Sequence, residues 1–141
     1  VDAFQQIEAH QKILDVFGCW PSFHDGEVHR VVLDRGAALG PTVELTIRGW
    51  NLTPEITEAG FYKQDADSLV HFRFEGVSDL VLDGLNHQNV LTCLEFEQVD
   101  ATKHARAGLL VTLEHCFGLC GQFRAERASI VSVKPYVEPT A

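Results

Sequence analysis

Apolar and polar residues alternate cleanly in four stretches of the chain. In residues 42–48, Val43, Leu45 and Ile47 stand against Glu44, Thr46 and Arg48. Residues 69–75 set Val70, Phe72 and Phe74 against His71, Arg73 and Glu75. Residues 94–99 set Leu94 and Phe96 against Glu95 and Glu97, and residues 109–114 set Leu109, Val111 and Leu113 against Thr112 and Glu114. A period of two sends successive side chains to opposite faces of a strand. Each stretch therefore predicts a strand with one buried and one wet face, the habit of an antiparallel sheet. Residues 27–34 are rich in Val and Leu but break the period, which predicts a bulge or burial on both faces. Residues 122–133 read as a last strand region that ends at Pro135. The connections lack the long helical segments that parallel crossovers need.

Ahead of the strands, Ile7, Ile13, Leu14 and Phe17 suit one face of a helix over about residues 3–17, with Gly18 as its C-cap. The expected fold is α+β. An N-terminal helix is followed by a curved, mainly antiparallel sheet of about six to eight strands, in one domain over residues 1–141. The expected core holds Val43, Leu45, Ile47, Val70, Phe72, Phe74, Leu94, Phe96, Val111 and Leu113, with Trp20 and Phe23 packed on it. Residues 51–66 read as a long acidic loop broken by Pro54, and residues 135–141 as a frayed tail.

Charge narrows the classes of function. Residues 1–50 carry 7 acids and 4 bases, residues 51–100 carry 10 and 2, and residues 101–141 carry 3 and 5. The balances of −3, −8 and +2 give the net −9. Such a chain is a poor match for nucleic acid, whose phosphates need clustered Lys and Arg. It is suited to a basic protein partner, although acids also serve simple solubility. No apolar run approaches the ~20 residues that span a bilayer. The four cysteines, Cys19, Cys93, Cys116 and Cys120, sit among apolar residues without a C-x-x-C pair. They read as reduced, buried thiols of a cytoplasmic protein. A zinc site from His115, Cys116 and Cys120 lacks a matching second pair, and a hairpin turn at residues 117–119 accounts for their spacing.

The densest polar cluster is His24, Asp25, Glu27 and His29. Imidazoles beside carboxylates can hold a divalent metal or share a proton. Glu27 and His29 would share a strand face, but His24 and Asp25 would have to fold back to join them. The alternative is structural: His24 and Asp25 hydrogen-bond within a turn that ends at Gly26 and hold the Trp20–Phe23 loop on the sheet. Nucleophile elbows and phosphate-binding glycine loops are absent, and no cofactor is expected. The amides around Asn86, His87, Gln88 and Asn89 read as partners for backbone groups at a strand end.

The run Trp20-Pro21-Ser22-Phe23-His24-Asp25, followed by Glu27, resembles the start of the immunity protein 50 family. A looser likeness is the Asn-rich turn at residues 84–90. The resemblance implies a small cytoplasmic protein that binds and neutralises a bacterial toxin, without catalytic residues. Under that reading the acidic middle third meets the partner. Its candidates are Glu55, Glu58, Asp65, Asp67, Asp79 and Asp83, with Glu95 and Glu97 on the wet face of their strand and Phe61 and Tyr62 as anchors. Two alternatives stay open: a small metal-dependent enzyme centred on His24, Asp25, Glu27 and His29, and a structural β domain that forms homodimers.

Overall fold

A computed structural model describes residues 2–100 and 108–139. Eight strands form one sheet: β1 (Glu27–Ala37), β2 (Gly40–Ile56), β3 (Tyr62–Glu75), β4 (Ser78–Asp83), β5 (Val90–Val99), β6 (Gly108–Phe117), β7 (Cys120–Ala125) and β8 (Arg127–Pro135). Their order is β4-β7-β6-β5-β1-β2-β3-β8, and every neighbouring pair is antiparallel. The central junction is thin, because β1 meets β5 through the single pair Glu27 and Val90. The sheet is thus two four-stranded halves joined at a seam.

The halves fold over one another. Phe74 on β3 and Phe123 on β7 lie five strands apart in the sheet, roughly 24 Å if it were flat. Their ring centroids are 5.0 Å apart. Phe72 and Phe96 likewise meet across the fold at 5.9 Å. The apolar faces of both halves close on one core, in which Val43, Leu45, Ile47, Val70, Phe72, Phe74, Leu94, Val111 and Leu113 are all buried, as their alternation predicts. Phe96 packs on this core but stays partly exposed, and so does Trp20.

The expected helix over residues 3–17 is instead two short pieces, a 3-10 helix (Ala3–Gln6) and α1 (Gln11–Phe17). Between them Glu8 makes a parallel bridge to Ser129 of β8. Its N–H donates to the Ala128 carbonyl at 2.8 Å and its carbonyl accepts from Ile130 at 2.9 Å. Ala9 turns to φ 62° to allow this. A short isolated helix is marginal, so the unpaired edge of β8 outcompetes it for these backbone groups. α1 ends as its sequence foretells: Gly18 adopts φ 77° and donates to the Leu14 carbonyl. With so little helix the fold is mainly β, more sheet-rich than the α+β expectation.

Four other expectations need correction. Residues 51–66 are not a loop: β2 runs on to Ile56 and β3 begins at Tyr62. Pro54 falls where the register jumps between Leu52 and Ile56, so no ladder bond is lost to it. The run 122–133 is two strands, because the chain turns at Glu126 and passes from one half to the other. The cysteines are unpaired but none is buried, since Cys19 and Cys116 are exposed and Cys93 and Cys120 half-buried. The tail is also held at its start, where Tyr136 donates to the Asp67 carbonyl at 2.9 Å. The irregularity expected in β1 is present as register shifts at Val28–Arg30 and Asp34–Ala37.

Candidate functional site

The segment ahead of β1 is held by its own residues. Phe23 is buried at φ 60°, a left-handed conformation that is costly for an aromatic residue. Its ring packs 5.7 Å from Phe72 and 6.3 Å from Phe17, and that burial offsets the strain. Trp20 stacks on Phe4 at 4.8 Å and turns its edge to Phe72 and Phe96. The backbone of the segment extends the seam along β5. Asp25 donates to the Leu91 carbonyl, Leu91 to Gly26 and Leu94 to Ser22, each at 2.9 Å. His24 Nδ1 lies 2.9 Å from the Thr92 carbonyl, a contact that places the proton on Nδ1. Its Nε2 lies 3.6 Å from the Asp25 carboxylate.

On the other side of the seam, buried Asn89 joins three elements. Its Oδ1 accepts from the backbone N–H groups of Asn86 at 2.8 Å and Leu119 at 3.1 Å. Its Nδ2 donates to the carbonyl of Asn86 at 2.8 Å, and its own carbonyl accepts from Val28 at 2.8 Å. The Asn-rich turn thus supplies backbone partners.

The proposed metal set does not assemble. Glu27 is paired in register with Arg48, and His29 turns its ring against Tyr136 at 5.7 Å. Among the described residues, three potential ligand atoms fall within 4.8 Å of one another at Cys93, Glu95 and Glu114. There the thiol lies 2.9 Å from Glu114 Oε2 and 3.5 Å from Glu95 Oε1. Loss of solvent, followed by these two carboxylate hydrogen bonds, pushes Cys93 up to about 12. Held in this way, the thiol keeps its proton at neutral pH and is a poor nucleophile. His115, Cys116 and Cys120 form no such group.

The acidic candidates fall in three places. Asp79 and Asp83 lie on β4, with Asp79 3.6 Å from Arg124. Glu95 and Glu97 on β5 border an open groove of about 490 Å³, shared with Asp2, Phe4, Trp20 and Phe96. Glu55, Glu58, Phe61, Tyr62 and Asp65 lie on the distal part of the β2–β3 hairpin. Asp67, at the base of that hairpin, is engaged elsewhere. It accepts two hydrogen bonds from Arg48, at 2.9 and 2.7 Å, and their pairing raises the Arg48 pKa. Arg48 also lies over the rings of Tyr136 and Trp50, at 3.8 and 5.5 Å.

The hairpin changes character beyond this clamp. β1 pairs with β2 no further than Arg48, and β8 pairs with β3 no further than Ser68. Past these residues no further strand joins the pair; Asn51 still donates to the Phe17 carbonyl at 2.7 Å, and beyond it β2 and β3 continue as a two-stranded ribbon. Ile56 pairs with Tyr62, and a turn closes through Thr57 donating to Phe61 at 2.7 Å and Gly60 donating to Thr57 at 2.9 Å. Leu52, Ile56, Phe61 and Tyr62 are 61%, 68%, 71% and 62% exposed. Leu52 and Ile56 escaped notice in the sequence because a loop reading hides strand faces. The signal was there in apolar Ile56 and Tyr62 flanking a short turn with Gly60.

Fold and surface together define a small β-sheet protein that presents apolar and acidic side chains on a ribbon. The immunity protein 50 family model matches residues 9–136, and the chain belongs to that family. No curated protein and no solved structure gives a significant match.

Proposed function

We propose that this single-domain chain binds and neutralises a cognate protein toxin in the cytoplasm, without chemistry, cofactor or nucleic acid of its own. Membership of the immunity protein family is the observation that carries this reading. The charge supports it: Glu55, Glu58, Asp65, Asp79, Asp83, Glu95 and Glu97 are all exposed, and they favour a basic partner. Such carboxylates mainly speed encounter, so association should slow steeply as salt rises. Asp67 is left out of this set because Arg48 already neutralises it.

The test is co-expression with candidate protein toxins drawn from the genes that neighbour this one. Restored growth together with a stable complex of the two chains is the expected result. Growth that stays arrested, or a toxin that is inactivated without any complex, would refute neutralisation by binding.

A further inference from the structure

We infer that the distal β2–β3 ribbon is the part of the molecule that enters the partner, and that its occupant is a concave, basic site on a protein toxin. The inference rests on the toxin-binding reading above and adds which element binds and how. Four large apolar side chains at more than half exposure stand within residues 52–62. Scattered apolar residues on a surface are ordinary, but a cluster on a projecting element marks a contact site. The ribbon owes the core nothing, since residues 54–65 are all exposed. A two-stranded ribbon without neighbours is marginal in water, so its apolar load gains stability only when another surface covers it.

Its shape suits insertion. From Arg48 the ribbon reaches roughly 25 Å at the usual rise of a strand. Side chains alternate, so Ile56 and Tyr62 share one face and Phe61 lies on the other. The tip is already ordered by the backbone bonds of Thr57, Gly60 and Phe61, which lowers the entropy lost on docking. Aromatic side chains in this setting are the usual anchors of an interface.

Charge selects the occupant. Residues 51–66 carry Glu55, Glu58 and Asp65 against Lys63, a balance of −2. Lys63 lies 3.6 Å from Glu55, which leaves Glu58 and Asp65 without an ion pair among the described residues. Two such ribbons from two copies of this chain would repel one another, and a nucleic acid would be repelled as well. A cationic cleft satisfies both the carboxylates and the apolar anchors. The other surfaces are less fitted. The groove beside β5 has its aromatic rings already packed on one another. The edge of β4 is bulged at Asp79, at φ 52°, which blunts strand addition.

The experiment measures binding of the purified toxin identified by that co-expression to the parent, to an Ile56→Ser, Phe61→Ser, Tyr62→Ser triple variant, and to a chain in which residues 53–63 are replaced by Asn-Gly. Both variants should lose at least 100-fold in affinity while keeping the parent melting temperature. Charge reversal of Glu55 and Glu58 to Lys should slow association at low salt and leave dissociation nearly unchanged. Hydrogen exchange on the parent complex gives a readout that needs no variant: amides of residues 52–64 should gain protection. Normal affinity in the ribbon variants, or unchanged exchange at residues 52–64 in a tight complex, overturns the inference and leaves the toxin-binding reading standing. A parent that fails to bind the toxin removes that reading itself. Self-association of the parent that the triple variant abolishes would make a second copy the occupant and overturn the inference as well.

Discussion

The same two strands, β2 and β3, behave as different materials along their length. In their proximal part, Val43, Leu45 and Ile47 face Phe74, Phe72 and Val70 across the register, and all are buried. The wet face there is neutralised: Glu44 lies 2.7 Å from His71 and 3.6 Å from Arg73, and Arg48 clamps Asp67. In the distal part the backbone pairing continues, but the apolar side chains face water and the acids have little company. Backbone hydrogen bonding alone is thus compatible with both states. Lateral neighbours decide which stretch becomes core and which becomes a contact surface.

Substitutions along the hairpin can break or sharpen this contrast. The largest effect belongs to Phe72, whose ring meets Trp20, Phe23, Phe74 and Phe96. Phe72→Ala should cost about 3–5 kcal/mol in chemical denaturation. Near-parent stability there would mean that the two halves do not share one core.

Gly49 comes next. A Cβ at this position would meet the Phe23 ring at 2.8 Å, so Gly49→Ala should destabilise by roughly 1–3 kcal/mol through overpacking. The denaturation midpoint reads this directly, and an unchanged midpoint would show that Phe23 shifts at no cost.

Arg48→Ala removes the clamp at the boundary. Both partners are partly exposed, which limits the loss to about 1 kcal/mol. Faster exchange at the Tyr136 amide should accompany that loss, because the ring loses its cation. Tyr136 exchange at the parent rate would place the boundary elsewhere.

The smallest effects are expected at Ile56→Ser and Tyr62→Ser, each within about 0.5 kcal/mol of the parent in thermal melting. A larger loss would mean that the ribbon folds back on the body in solution, and the contrast would collapse.

The strands with clean alternation were legible in the sequence because burial of one face imposes the period itself. Residues 43–47 and 70–74 are the plainest instance. The helix was not legible, since nothing local to Glu8 announces the distant edge of β8 that captures its backbone. Residues 51–66 misled for a related reason. Pro54, Gly60 and the acids carry loop chemistry, while the cross-strand register that makes them a ribbon depends on where β3 begins. The His24–Asp25 segment could be located but its partners could not, because the Thr92 and Leu91 carbonyls are more than sixty residues away. The acids could be counted, yet only the structure separates Asp67, held by Arg48, from Asp65 two residues earlier.

The bridge between Glu8 and Ser129 has a consequence for synthesis on the ribosome. β8 lies at one end of the strand order, beside β3, and its other edge receives the first segment of the chain. The backbone of Glu8 therefore has no bridge partner until residues 127–135 have been translated. Until then β3 presents an open edge, and Ile7, Ile13 and Phe17 have no β8 to cover them. A nascent chain stopped short of residue 127 should be held in an aggregation-prone, protease-sensitive form, and completion of the last strand should act as the moment of commitment to the native state.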